Sequence, residues 1–159
     1  MKSLFIVRHA KAEADAPGGD FARKLTERGE EDAKQTGKHI AKIMTPDLIV
    51  SSDAARALST AKIIAKKTDH DGDLVEEHAI YEASVPDLVD VVRALPNSEK
   101  KVIIVGHNPG FEGLAYFLSK NREAMPRMST ATAVLIEFDI ADWTEVDEET
   151  GSIAGSFTP

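Results

Sequence analysis

Four residues that could bind and transfer an anionic group come at, or just after, the ends of three apolar segments of strand length: Arg8 and His9 after the first, Arg56 after the second and His107 after the third. Because ligands bind at the carboxyl ends of the strands in an open α/β sheet, we expect these side chains to lie close together at that edge. Two guanidinium groups can bind a phosphoryl group through paired hydrogen bonds and stay charged at any working pH. One neutral imidazole can attack phosphorus, and the second, if protonated, can stabilise the developing charge.

Structural explanations compete with this interpretation. A single histidine at a strand end is often only hydrogen-bonded, and a single arginine there usually pairs with a carboxylate. The coincidence of four such residues at three strand ends favours phosphoryl transfer, which needs mainly positioning and charge compensation. A metal site is disfavoured because two histidines without a third ligand, flanked by arginines, would repel a divalent cation. We therefore expect no metal and no cofactor.

The elements that must position these residues alternate between strand and helix. Apolar runs predict strands at 3–7, 47–51, 74–78, 102–105, 134–140 and 152–157, the fifth of them with one more polar face. Helical spacing predicts four helices: one capped by Thr26 and ended by Pro46, one along 57–65, one opened by a Ser84–Asp87 capping box and one opened by Asn108-Pro109. The pattern predicts an α/β fold, a single-domain three-layer sandwich over residues 1–159, with a mostly parallel central sheet and helices on both faces.

The composition of the chain excludes several kinds of site and argues against some partners. The chain has 159 residues, no cysteine and a net charge of −8, so disulfides and thiolate metal sites are excluded and nucleic acid is not an expected partner. The apolar run Leu4–Val7 is too short for a signal sequence, and no later segment approaches a membrane span. We expect a cytoplasmic protein that does not bind membranes, and the oligomeric state stays open.

Four segments in chain order resemble the motifs of the histidine phosphatase superfamily, which has a phosphoglycerate-mutase-like fold: Phe5–Ala12, Leu25–Gly29, Ser51–Ala57 and Val105–Gly110. The resemblance covers residues 4 to about 118. The short chain and the variant Arg-His-Ala-Lys-Ala are most similar to the small branch of phosphohistidine phosphatases. This sequence departs from the family at Ala10, where glycine is frequent, and at Ser59, where glutamine is frequent. Neither change touches the four residues above.

The resemblance implies that His9 is phosphorylated transiently and that Arg8, Arg56 and His107 form the phosphate pocket. It also makes Glu82 the candidate general acid, although capping or solvating the following helix would explain that residue equally well. A phosphohistidine substrate needs the acid less, because imidazole leaves more readily than an alkoxide. Two further residues are candidates for substrate binding: Arg23, otherwise a surface arginine, and Asn108, at a helix start that favours anions.

Together these observations predict a metal-independent phosphatase that acts through a phosphohistidine intermediate on His9. The expected substrate is phosphohistidine in a signalling or phosphorelay protein. One alternative is a phosphatase or mutase of a small phosphorylated metabolite, which is disfavoured because the short connections leave little chain for a lid. A second alternative, of another class, is a non-catalytic module that binds phosphorylated ligands.

Overall fold

The computed structural model describes residues 1–159 and contains one six-stranded sheet. Its strands are β1 (Lys2–Arg8), β2 (Leu48–Ser51), β3 (Leu74–Glu76), β4 (Lys101–Gly106), β5 (Ala133–Phe138) and β6 (Gly151–Phe157). They lie in the order β3-β2-β4-β1-β5-β6. Strands β1 to β4 run parallel, whereas β5 is antiparallel to both of its neighbours. The mostly parallel sheet predicted from the apolar runs is confirmed.

Four helices accompany the sheet: α1 (Glu27–Ala41), α2 (Ala55–Lys67), α3 (Val85–Arg93) and α4 (Gly110–Leu118). The hydroxyl of Thr26 accepts a hydrogen bond from the N–H of Gly29, and Ser84 and Asp87 form a reciprocal capping box. Both predicted helix starts are therefore present. No helix has the length and apolar character needed to cross a membrane.

Helix α1 ends earlier than predicted, at Ala41 rather than near Pro46. The N–H groups of Ile43 and Met44 both bond to the carbonyl of Ile40, so the chain tightens into a turn. Met44 still packs in the same apolar cluster as Ile40. A turn and a continued helix both bury this methionine, which is why the apolar spacing did not locate the end.

Two apolar clusters fill the spaces on either side of the sheet. Leu4 and Ile6 of β1 pack in the cluster that contains the buried residues of α3 and α4. Phe5 and Val7, on the opposite face of the same strand, pack with the buried residues of α1 and α2. The three-layer α/β sandwich with helices on both faces is thereby confirmed.

The predicted more polar face of β5 carries one polar residue, Glu137, whereas Ala133 and Leu135 on the same face are buried. Leu135 packs towards α1 and α2, Val134 and Ile136 pack on the other side, and in this strand only Glu137 is not buried. The strand lies between β1 and β6 with helices on both sides of the sheet, so both of its faces are covered.

The first motif glycine has a packing explanation. A Cβ atom on Gly29 would overlap the carbonyl oxygen of Lys11. That same oxygen accepts a hydrogen bond from the N–H of Thr26 at 3.0 Å. The first turn of α1 is thus held against the chain that leaves β1, which anchors the segment just beyond His9.

Candidate active site

The carboxyl ends of β1, β2 and β4 meet at one edge of the sheet. β1 delivers Arg8 and His9, β4 delivers His107, and β2 leads into the start of α2, which carries Arg56. The ring centroids of the two histidines are 5.3 Å apart. His107 and Arg56 line an open cleft of about 390 Å³, together with the segments 81–84 and 108–110. The structure therefore brings together the residues whose convergence the sequence predicted.

His9 is held in one orientation by its own strand end. Its side chain is buried, with 7% of the residue exposed, and Nδ1 lies 2.7 Å from the carbonyl oxygen of Ala10. A carbonyl oxygen only accepts, so Nδ1 carries the ring proton and the lone pair belongs to Nε2. Burial, together with the charges of Arg56 and Arg8, lowers the pKa of His9 to about 4. At neutral pH the ring is uncharged, with a free lone pair on Nε2.

Both arginines keep an enclosed nitrogen without a partner. Arg8 donates from Nη1 to the carbonyl oxygen of Met128 at 3.1 Å, and Arg56 donates from Nη1 to the carbonyl oxygen of Asp20 at 2.8 Å. The Nε atoms of the two arginines are buried and bond to nothing in the protein. Because an unpaired buried donor is costly, an oxyanion held between the two guanidinium groups would stabilise them.

Asp20 is a site residue that the sequence reasoning missed. Its carboxylate accepts hydrogen bonds from the Tyr81 hydroxyl at 2.7 Å, Arg23 at 2.9 Å and Arg56 at 3.1 Å. These bonds, that of Tyr81 first, hold the pKa of Asp20 well below its usual range, and the same contact raises the pKa of Tyr81 to about 12. The sequence placed Asp20 beside Arg23, but nothing in it linked this loop to Arg56, 36 residues away.

The predicted Arg23 lies in this network at the rim of the site. It bonds to Asp20 and donates from Nε to the carbonyl oxygen of Glu13 at 2.6 Å. Its charge is also close enough to contribute to the lowered pKa of His9. Arg23 therefore belongs to the electrostatic surroundings of His9 and is more than an isolated surface arginine.

Glu82 lies on the wall of the cleft, beside Arg56 and His107. The residue is exposed, and its backbone is left-handed with φ 55°. Helix α3 is capped by Ser84 and Asp87, without Glu82. Capping therefore does not explain this residue. Its exposure fits solvation of the helix start, and its place in the cleft fits a proton donor to a bound group.

Asn108 also borders the cleft, but its side chain is occupied. Its Nδ2 donates to the carbonyl oxygen of Met128 at 2.9 Å, and its Oδ1 accepts from the N–H of Glu112 at 3.1 Å. The side chain therefore ties the start of α4 to the segment that also receives Arg8. Asn108 lines the cleft together with Pro109 and Gly110.

His107 differs in its charge from the expectation of a protonated donor. Burial, together with the nearby His9 and Arg56, lowers its pKa to about 3. The ring is therefore neutral at working pH, and the positive charge of the site resides on the arginines. Its Nε2 lies 2.8 Å from the hydroxyl of Ser52, while its Nδ1 is enclosed without a partner.

Comparison with solved structures supports the fold and the branch. The crystal structure of the inferred phosphohistidine phosphatase SixA from Agrobacterium tumefaciens superposes with a TM-score of 0.83 at 26% identity. The superposition covers 99% of this chain and 98% of that one. This neighbour has the length and the fold of the small branch predicted from the motifs.

Comparison with curated sequences gives two further relatives. The mitochondrial serine/threonine-protein phosphatase Pgam5 of Drosophila persimilis is 31% identical over 86 residues, which is 54% of this chain and 29% of that protein. An uncharacterized chloroplastic protein of Arabidopsis thaliana is 26% identical over 166 residues, covering 91% of this chain and 70% of the relative. The chain thus matches less than a third of the length of Pgam5.

Comparison of the sequence with family models confirms the resemblance seen in the motifs. The family model of the histidine phosphatase superfamily (branch 1) matches residues 4–94, which is more than half of the chain. That range includes three of the four motifs, and the fourth lies at the neighbouring strand end of the same site. Together with relatives described as phosphatases, the match supports a phosphatase hydrolase, and the chain belongs to the histidine phosphatase superfamily.

Proposed function

We propose that this chain is a metal-independent phosphatase that carries the phosphoryl group transiently on Nε2 of His9. The proposal rests on the tautomer and the neutral charge of His9. Its hydrogen bond to the carbonyl oxygen of Ala10 fixes the proton on Nδ1, and its pKa of about 4 keeps the ring neutral at pH 7. A neutral imidazole with an oriented lone pair is the nucleophile that a phosphoenzyme mechanism needs.

In the first step the lone pair on Nε2 forms a bond to phosphorus, while the bond from phosphorus to the leaving group breaks and its electron pair departs with that group. The unpartnered Nε atoms of Arg8 and Arg56 bind phosphoryl oxygens and compensate for their charge. His9 keeps its Nδ1–H bonded to Ala10, so the phosphorylated ring is a cationic imidazolium and a good leaving group.

In the second step water attacks phosphorus and the electron pair of the N–P bond returns to Nε2. Neutral His9 is restored, and inorganic phosphate leaves with the protons of that water. Where Glu82 has donated a proton in the first step, it takes one of these two protons back, and phosphate leaves with the other. Glu82 supplies a proton to the first leaving group where that group requires one. No group of three or more His, Asp or Glu side chains is placed to hold a metal ion, and no step calls for one.

The proposed substrate is phosphohistidine in a signalling or phosphorelay protein. The likeness to the inferred phosphohistidine phosphatase SixA supports this choice. So does the chemistry of the site, because a departing imidazole places little demand on the exposed Glu82 as acid. A phosphorylated protein partner and a cytoplasmic location remain predictions within the same proposal.

A small phosphorylated metabolite is the second candidate substrate. It is favoured by the cleft of about 390 Å³, a size suited to a small molecule, and by Glu82 on its wall, since an alkoxide leaving group needs a proton donor. A non-catalytic binding module has less support, because His9 and both arginines are present and arranged for transfer.

Hydrolysis of an aryl phosphate and of a phosphohistidine protein, each with and without EDTA, tests the proposal. We expect turnover of both, unchanged by EDTA and abolished by His9→Ala. His70→Ala should leave it intact, because His70 precedes the start of β3 and lies away from the carboxyl ends of the strands. Loss of activity with EDTA would contradict the metal-independent mechanism. A metabolite with a higher kcat/KM than the phosphohistidine protein would favour the second candidate, and phosphate binding without any turnover would favour a binding module.

A further inference from the structure

Ser52 lies at the end of β2, next to His107, and has no exposed surface. Its Oγ accepts a hydrogen bond from the N–H of Ala54 at 3.2 Å. The same oxygen is 2.8 Å from Nε2 of His107. A serine hydroxyl has one proton to donate and two lone pairs with which to accept, so these two contacts define how the group is used.

The hydroxyl proton of Ser52 has a single available acceptor, which is Nε2 of His107. In the opposite arrangement Nε2–H would donate to Oγ, and the buried hydroxyl proton would then have no partner. Nδ1 of His107, which is also enclosed, would at the same time be an acceptor without a donor. Donation from Ser52 to Nε2 avoids the first defect and places the ring proton on Nδ1.

With that proton on Nδ1, the enclosed and unpartnered side-chain nitrogens of the structure are all N–H donors: Nε of Arg8, Nε of Arg56 and Nδ1 of His107. We propose that Ser52 is a positioning residue that fixes the Nδ1–H tautomer of His107, so that the neutral imidazole donates a hydrogen bond to the bound phosphoryl group. The catalytic meaning of this bond rests on the proposed function, whereas the tautomer itself does not.

The two histidines then share one tautomer and use it in opposite ways. In His9 the Nδ1–H group bonds to a backbone carbonyl, which leaves Nε2 as the nucleophile. In His107 the acceptor Nε2 is bonded to Ser52, which leaves Nδ1–H for the ligand. The hydroxyl of Ser52, just after β2, thereby decides whether the second imidazole presents an N–H donor or a repelling lone pair to an anion.

The tautomer can be measured by long-range proton–nitrogen NMR on protein labelled with ¹⁵N-histidine. The chain has five histidines, and His107→Gln identifies the signal of His107. At pH 7 we expect the Nδ1–H form of His107 in the free protein and a shift of its Nδ1 signal when inorganic phosphate is added. In Ser52→Ala we expect the Nε2–H form to gain population and the Kd for inorganic phosphate to rise about tenfold, equivalent to about 1.4 kcal/mol.

Ser51→Ala is the matched control, because the neighbouring buried hydroxyl bonds to the carbonyl oxygen of Ser52 and not to His107. It should keep the tautomer and the Kd, and Ser52→Thr should restore both. An Nε2–H form of His107 in the unmodified protein would overturn the proposal even if hydrolysis were normal. An Nδ1–H form in a protein without phosphatase activity would instead uphold the tautomer and refute the proposed function. Should Ser52→Ala not fold, the spectrum and phosphate titration of the unmodified protein decide the question.

Discussion

Replacing His9 by asparagine should make the stability of the fold less sensitive to acid. The folded protein holds the pKa of His9 at about 4, against an ordinary value of 6.5, because the side chain is buried beside Arg56 and Arg8. Between these values the unfolded chain binds a proton at His9 that the folded chain does not. Stability therefore falls as the pH drops from 6.5 towards 4, and it is insensitive to this group above 7.

The size of the effect follows from the same two pKa values. At about 1.36 kcal/mol for each pH unit, the gap between 6.5 and about 4 corresponds to about 3 kcal/mol. Only 7% of His9 is exposed, so solvent screening reduces this figure little. A loss of about 3 kcal/mol is a large part of the stability of a domain of this size.

Urea unfolding at pH 8, 7, 5.5 and 4 measures the effect, with the unmodified chain and His9→Asn compared at each pH. The free energies of unfolding should run parallel between pH 8 and 7, which is the internal control. Below pH 6.5 they should diverge by up to about 3 kcal/mol, with the variant losing less stability. Parallel curves down to pH 4 would show that folding does not perturb His9, and the argument for a neutral, desolvated nucleophile would fail.

Three further substitutions test other parts of the account. Arg56→Lys should lower kcat/KM about 100-fold with the fold intact, because it removes the unpartnered Nε and with it about one charge-assisted hydrogen bond. A change below threefold would contradict the role of that nitrogen. Gly29→Ala should lower the free energy of urea unfolding by about 3 kcal/mol, because the added Cβ overlaps the backbone. Gly155→Ala is the control: a Cβ there meets nothing within 4 Å, so the free energy should change by less than about 0.5 kcal/mol. Equal effects would refute the packing argument. Glu82→Gln should reduce kcat for an alkyl phosphate at least about tenfold more than for a phosphohistidine protein, and equal losses would contradict its role as the acid for poor leaving groups.

Much of the site was predictable because its residues are attached to strong local patterns. Arg8, His9 and His107 directly follow apolar runs that form buried parallel strands, so their convergence follows from the sheet itself. Thr26 likewise predicted the start of α1, because threonine is a favoured N-cap residue and its hydroxyl does cap the helix. These inferences needed only short-range sequence and the general geometry of α/β folds.

The features that escaped prediction depend on contacts between distant segments. Asp20 reaches Arg56 and Tyr81 only because the loop before α1 folds over the rim. The charge of His107 depends on how completely the fold buries it, which its place in the sequence does not reveal. The bond from Ser52 to His107 joins two strand ends 55 residues apart. Protonation states and side-chain partners of this kind are set by tertiary packing.

The central claim, a phosphoryl group carried on His9, can be tested by trapping it. The protein is mixed with a ³²P-labelled phosphohistidine protein and quenched in alkali, in which a phosphorylated histidine survives, before the label is mapped by mass spectrometry. The account predicts label on Nε2 of His9 during turnover and none in His9→Asn. Turnover with no label on His9, or with label on another residue, would contradict it.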